Sequence, residues 1–286
     1  MNCNNKNHFV YLQAMPFIRI LFAHLVCLLT TTIFISCSDF NRLQKTGTPE
    51  EKLSRAIEYY NEDETYKAGA LLEDVSPLLR GKAEAETALY YLASNYLKQK
   101  QYVMSAFYFK DFYLTYPRSK SVEEAMYKHV FSLYKSSADY NLDQQNTYDC
   151  LKALTVFSTR FPNTSYLKEC EMIYTELNAK LMKKAFEHSM MYHRVSNYKS
   201  AVVAISNFIK DYPMSPYLEE SYYTRFEAQY HLAENSIQGQ IQMDRYYKAI
   251  EYYQLFNDKF PDNNYKKTAN EDYDKIVKTL EELKAK

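Results

Sequence analysis

The sequence predicts an all-helical protein built from repeated pairs of helices, and two observations carry this prediction. Glycine is rare, because the chain has 4 glycines among 286 residues, where average usage would give about 20. So few glycines leave little room for the tight turns of β-hairpins or for a glycine-rich phosphate loop. One pattern of aromatic residues and proline also recurs four times along the chain.

The recurring pattern marks the end of a helix in each of four units. A proline and the residue before it both disfavour continuation of a helix, so each aromatic-proline pair is a stop. A phenylalanine lies four residues before each aromatic residue, and a small residue lies seven before that phenylalanine, which places both on one helical face. The stops are Tyr116-Pro117, Phe161-Pro162, Tyr212-Pro213 and Phe260-Pro261, after Phe112, Phe157, Phe208 and Phe256 and the small residues Ser105, Cys150, Ala201 and Ala249.

A second amphipathic helix is expected upstream of each of these four helices. Residues 49–80 indicate an earlier unit that lacks the stop, and residues 266–286 predict a terminal capping helix. We therefore expect about five tetratricopeptide-like units over residues 49–265. The spacing of apolar residues predicts the upstream helices over Ala85–Lys98, Glu123–Lys135, Leu167–Met191 and Leu218–Ala233.

Two polar gaps interrupt the predicted pairs, over Ser136–Thr147 and Glu234–Arg245. In an array of helical hairpins such segments project from one edge. Two interpretations remain open for them, a segment that binds a partner and a solvated loop.

The first 36 residues have the features of a secretory signal peptide. No acidic residue precedes Asp39, and the run Ile20–Ile35 is almost wholly apolar. This run has about 16 residues, which is short for a membrane span and suits the apolar region of a signal. Met15, followed by Arg19, begins a more ordinary signal than Met1 does, which makes Met15 a candidate start of translation.

The apolar run ends in Phe34-Ile35-Ser36-Cys37, which resembles the lipobox of bacterial lipoproteins, although Phe34 stands where leucine is usual. The resemblance implies that the signal over 1–36 is removed and that Cys37 carries acyl chains such as palmitate, with a polar tether over 37–48. At about 0.8 kcal/mol per buried methylene, several acyl chains give stable anchoring. The alternatives are an ordinary secreted protein and a short anchor helix with an unmodified cysteine.

Motifs for catalysis or metal binding are scarce. His188 and His193 are five residues apart and therefore point to different sides of a helix, which suits a metal ion poorly. Cys150 and Cys170 either pair in an oxidising compartment or are small buried residues. Lysine and arginine, 35 together, balance 35 acidic residues without forming a basic stripe, which argues against nucleic-acid binding. We expect no enzymatic activity, no metal ion, no cofactor and no nucleic-acid partner.

The repeats resemble tetratricopeptide repeats, with longer units, and together with the lipobox the chain resembles the BamD family of lipoproteins. The closest stretches are Tyr102–Ser119, Asp149–Tyr166 and Asn197–Tyr217. The resemblance implies a scaffold at the periplasmic face of the outer membrane that belongs to the β-barrel assembly machinery. Its implied partners are unfolded outer-membrane proteins at the N-terminal repeats, a BamA-like barrel protein at the C-terminal repeats, and accessory lipoproteins.

Aromatic residues of the first units are candidates for a binding groove, because aromatic side chains are suitable anchors for aromatic-rich peptides. The candidates are Tyr59, Tyr60, Tyr90 and Tyr91, for which packing between helices is the competing interpretation. A different function also remains open, a periplasmic tetratricopeptide adaptor in the maintenance of the cell envelope or peptidoglycan.

Overall fold

The computed structural model describes residues 39–285, and no strand occurs among them. Residues 39–46, in the segment expected to form the tether, are helical, and Phe40 packs edge-on against Tyr59 at 6.0 Å between ring centroids. No helix within residues 39–285 has the length and apolar character needed to cross a membrane. The longer helices are α1 Pro49–Asn61, α2 Thr65–Leu78, α3 Ala85–Lys98, α4 Tyr102–Thr115, α5 Val122–Ser136, α6 Gln145–Arg160, α7 Leu167–Arg194, α8 Tyr198–Asp211, α9 Leu218–Glu234, α10 Gln240–Lys259 and α11 Lys266–Lys284.

The all-helical, tetratricopeptide-like fold is confirmed, and the four predicted upstream helices are α3, α5, α7 and α9. Helix α3 has the predicted bounds, and the other three differ from prediction by at most three residues at either end. Helix α1 begins with a capping box, because the Thr48 side chain accepts a hydrogen bond from the Glu51 N–H while Glu51 accepts one from Thr48. Pro49 follows at the first helical position, where its missing N–H costs nothing.

The four aromatic-proline stops end their helices as predicted. Helices α4, α6, α8 and α10 each end at the residue before the aromatic one. Tyr116 and Tyr212 have φ/ψ of −118°/62° and −127°/63°, outside the helical region, as expected before proline. The structure adds a feature that was not expected from the sequence. The second residue after each proline has a polar side chain, and this side chain accepts a hydrogen bond from the backbone N–H of the residue two positions later. These acceptors are Ser119, Thr164, Ser215 and Asn263.

Each of two compact units has its own core. Within the described residues, unit 1 comprises 39–136 and 159–161, and unit 2 comprises 137–158 and 162–285. The predicted face of the repeats forms the core positions, because the four phenylalanines before the stops are at most 3% exposed and the four small residues are fully buried. In unit 2 the ring of Tyr217 stacks on Phe186, with 4.4 Å between centroids, so the aromatic residue after the proline also serves packing.

Three of the turns within helix pairs share one geometry. They follow α1, α3 and α7, and each contains a residue other than glycine in the left-handed region, namely Asp63, Lys100 and Ser196, with φ of 64°, 59° and 56°. In each turn, the backbone N–H of the residue after the left-handed one donates a hydrogen bond to the carbonyl of the tyrosine five positions before that donor, at 2.8–2.9 Å. This is the geometry in which glycine is favoured, because a Cβ is strained there.

We therefore expect Lys100→Gly to raise the free energy of unfolding by about 0.5–1 kcal/mol, through relief of the left-handed strain. Urea unfolding of the two proteins measures this difference. Lys110→Gly, at an exposed position inside α4, is the matched control and should lower stability by about 1 kcal/mol. A loss of stability in Lys100→Gly would contradict the interpretation of this turn.

The two predicted gaps have different outcomes. The first gap is a loop over residues 137–144. Two lysines of α7 hold this loop against the helix. Lys180 donates a hydrogen bond to Ser137 Oγ at 2.7 Å, and Lys184 donates to the carbonyls of Tyr140 and Leu142 at 3.0 and 2.8 Å. The second prediction is wrong over residues 240–245, because α10 begins at Gln240. Gln242 is buried and donates to the Ala233 carbonyl at 3.2 Å, and this tertiary contact explains why a polar stretch is helical.

Candidate protein-binding sites

The candidate groove tyrosines of unit 1 form an aromatic cluster between α1 and α3. For Tyr59 the competing interpretation, packing between helices, is confirmed, because it is only 4% exposed and belongs to the core. Tyr60 and Tyr91 meet edge to face at 5.2 Å between centroids, and Tyr90 lies 6.1 Å from Tyr91 and 5.4 Å from Phe112. Tyr60, Tyr90 and Tyr91 are half-buried, so packing accounts for much of their surface.

A charged pair on α5 closes one side of this cluster. Lys128 donates to the hydroxyl of Tyr90 at 2.9 Å and pairs with Glu124 at 2.8 Å. Burial raises the pKa of Tyr90 to about 12. Burial also opposes ionisation of Glu124, but hydrogen bonds to Lys128 and Tyr90 outweigh it and lower the pKa of that carboxyl. The tyrosine is therefore neutral and the carboxylate charged at neutral pH.

A cavity of about 680 Å³ opens between α2, α3 and α4 in unit 1. Tyr96 and Tyr108 stack on one wall, with ring centroids 5.3 Å apart and planes at 4°, and the Tyr96 hydroxyl donates to Glu73 at 2.7 Å. Arg80 lies on the rim and is exposed. Aromatic walls with a few polar groups suit the side chains of an extended peptide. These tyrosines cannot be recognised as cavity residues from the sequence, because each lies at a helical position typical of the core.

A second cavity, of about 720 Å³, lies between α7 and α8 in unit 2. Its lining includes Tyr192 and Val203, together with the polar side chains of His188, Lys199 and Asn207. Val203 is 58% exposed, so part of this lining is an apolar surface open to solvent. The lining therefore combines apolar and polar groups, as binding cavities commonly do.

One histidine–carboxylate cluster joins α7 and α9. His193 Nε2 lies 3.2 Å from Glu227 Oε2. This is an ion-pair distance, but the two groups lack the alignment of a hydrogen bond. His231 Nδ1 lies 3.0 Å from Glu234. The neighbouring His193 lowers the pKa of Glu227, although burial opposes this effect. His188, which lies on α7 with His193, packs edge-on against Tyr192, with 5.8 Å between ring centroids.

The lowered pKa of Glu227 gives a prediction for the acid limb of stability. When the pKa of a carboxyl is lower in the folded state than in the unfolded state, the group stabilises the fold. This stabilisation is fully present at a pH above the unfolded pKa, which is near 4.5, and is lost as the pH falls through the folded pKa. We expect Glu227→Gln to be less stable than the wild type at pH 7 and the difference to shrink below pH 4.5. Thermal unfolding between pH 3 and 7 measures it, with Glu220→Gln, exposed on the same helix, as a control that should follow the wild type at every pH.

Cys150 and Cys170 are both buried in unit 2 and are not joined by a disulfide. Burial raises the pKa of Cys150 to about 12 and that of Cys170 to about 11, so both stay protonated and unreactive at neutral pH. The candidate lipidation residue Cys37 and the signal over 1–36 lie outside the described residues. Among residues 39–285, no group of three or more histidine, cysteine, aspartate or glutamate residues is arranged to hold a metal ion.

Comparison with known proteins assigns the chain to a family. The sequence model of the family YfiO, described as an outer membrane lipoprotein, matches residues 46–198, which is more than half of the chain. The curated proteins include no significant match. The match begins before α1 and extends into the start of α8, so it covers both the aromatic cluster of unit 1 and the first helices of unit 2. The chain therefore belongs to the YfiO family of outer membrane lipoproteins, which is the BamD family that its repeats and lipobox resemble.

Proposed function

We propose that the protein is a lipid-anchored scaffold of the β-barrel assembly machinery that promotes folding and insertion of outer-membrane proteins. The observation that carries the proposal is the match to the YfiO family, because this family implies an outer membrane lipoprotein of this machinery. Paired helices with aromatic-lined cavities are consistent with a protein that acts by binding. In this role no bond is made or broken, and no cofactor is needed.

The anchor in this proposal is Cys37, diacylated on sulfur and acylated on the new amino group after removal of residues 1–36. The lipobox pattern and the family both support it. The anchor holds the repeats at the periplasmic face of the outer membrane. Two or more acyl chains are needed for attachment that does not reverse readily.

In the same proposal, the cavity between α2, α3 and α4 receives aromatic-rich segments of unfolded outer-membrane proteins. The stacked pair Tyr96 and Tyr108 supplies an apolar wall, and Arg80 supplies a cation at the rim for a C-terminal carboxylate. Unit 2 docks the periplasmic part of a BamA-like barrel protein, with accessory lipoproteins completing the complex.

The proposed complex is tested by purifying the tagged protein from detergent-extracted outer membranes and identifying its partners by mass spectrometry. We expect a stoichiometric BamA-like barrel protein. Peptidoglycan enzymes in its place would instead support the adaptor function, and the absence of any barrel protein would overturn the proposal.

The proposed groove is tested with a peptide that ends in an aromatic residue, by fluorescence anisotropy. Tyr108→Ala should weaken binding about 10-fold or more, as expected for removal of a central aromatic anchor. The matched control is Tyr66→Ala, because Tyr66 is 82% exposed on α2 and lies outside the cavity. Equal affinity for the wild type and both variants would exclude this groove as the peptide site.

A further inference from the structure

Arg225, on α9 of unit 2, is a buried cation without an anionic partner. Its side chain belongs to a residue that is only 8% exposed, and its Nε has no hydrogen-bond partner within residues 39–285. No ion pair joins it to another residue in this part of the chain. Most buried charges are paired or hydrogen-bonded, because an unpaired one loses its hydration without compensation.

Two tyrosine rings hold the guanidinium. Its central carbon lies 4.9 Å from the ring centroid of Tyr222 on α9 and 4.2 Å from that of Tyr252 on α10. Contact with ring faces orients a guanidinium but leaves its in-plane N–H donors unused. Desolvation lowers the pKa of Arg225, yet the group stays charged at neutral pH.

Two lysines lie near the same tyrosine rings. Lys248 lies 5.1 Å from the centroid of Tyr252, and Lys259 lies 5.9 Å from that of Tyr222. Both lysines are exposed. Glu251 is the neighbouring carboxylate, and it is paired with Lys248 at 2.6 Å. Arg225 and these two lysines thus place positive charge beside the rings, which favours an approaching negative group.

We propose that Tyr222, Arg225 and Tyr252 form a docking site that receives a carboxylate side chain of a folded protein partner. This inference rests on the proposed function only in taking the partner to be a subunit of the assembly machinery. Arginine flanked by tyrosines is typical of the energetic centre of protein interfaces, and the planar guanidinium can bind a carboxylate through two parallel hydrogen bonds. The small exposed fraction of Arg225 suits the tip of one side chain better than the flat surface of a phospholipid membrane.

The occupant of the site is identified by photo-crosslinking in cells. A photoreactive phenylalanine analogue replaces Tyr252 in the full-length protein, and mass spectrometry locates the adducts. We expect a covalent adduct with a protein segment that contains aspartate or glutamate. An adduct with lipid, an adduct with a segment free of acidic residues, or no adduct at all would overturn the docking site.

Charge exchange then tests the role of the guanidinium. Arg225→Glu should reduce the crosslink about 30-fold or more, as for loss of a buried charge pair, and reversing the crosslinked acidic residue to arginine should restore it. Arg194→Gln is the matched control, because Arg194 is exposed and paired with Glu187 at 2.6 Å, and it should leave the crosslink unchanged. An unchanged crosslink in Arg225→Glu would overturn the proposal.

Thermal unfolding separates docking from a structural role of Arg225. Replacing an unpaired buried charge by an apolar side chain of similar length removes a desolvation cost, so Arg225→Met should unfold at the wild-type temperature or above. A fall of more than about 5 °C would show that the residue is structural and would overturn the proposal. A crosslinked acidic segment from a protein outside the assembly machinery would contradict the proposed function while supporting the docking site.

Discussion

Phe112→Ala is expected to lower the free energy of unfolding by about 3–5 kcal/mol, because it removes a fully buried ring from the core of unit 1. The ring lies 5.4 Å from that of Tyr90 and 5.6 Å from that of Tyr116, measured between centroids. Removal of the ring therefore leaves a cavity next to both tyrosines, which adds to the lost burial. A loss of this size is a large part of the stability of an ordinary domain, which is about 5–15 kcal/mol.

The same helix offers a matched control for this prediction. Phe107 on α4 is 61% exposed, so Phe107→Ala should change stability by no more than about 0.5 kcal/mol. Urea unfolding followed by circular dichroism measures both variants. Equal losses in the two variants would contradict the conclusion that the phenylalanine before each stop is the core anchor of its unit.

Cys37→Ala is expected to abolish incorporation of palmitate completely, because the lipobox sulfur is the proposed site of acylation. Metabolic labelling with an alkyne analogue of palmitate, followed by purification of the protein, measures the incorporation. The control is Cys27→Ala, a cysteine inside the apolar run of the signal, which should keep the label. A wild-type protein without label would favour an ordinary secreted protein or an unmodified anchor, and label retained in Cys37→Ala would place acylation elsewhere.

The repeat architecture could be predicted from the sequence because each of four units contains its own helix-ending aromatic-proline pair. Proline after an aromatic residue ends a helix for local reasons, and the buried phenylalanine four residues earlier follows from helical periodicity. Helix α10 shows where local reasoning failed. Its first turn is polar and was predicted as a gap, but Gln242 is buried and bonds to the Ala233 carbonyl, a contact that only the folded pair of helices supplies.

The candidate sites were less predictable than the fold. Tyr59 and Tyr60 are adjacent in the sequence, yet one is in the core and the other is half-buried on the surface of α1. Periodicity in a single sequence does not reveal which of two neighbouring tyrosines faces a partner. Arg225 likewise resembles any other helical arginine in the sequence, and its lack of an anionic partner is visible only once Tyr222 and Tyr252 are placed around it.

The most direct test of the central claim is the amount of folded β-barrel protein in the outer membrane after depletion of this protein. Folded barrels stay folded in gel electrophoresis at room temperature and migrate faster than unfolded ones. The amounts of the two forms can therefore be measured separately. If the protein is a scaffold of barrel assembly, depletion should lower the folded form and re-expression of the wild type should restore it. Unchanged levels of folded barrels after full depletion would contradict that role.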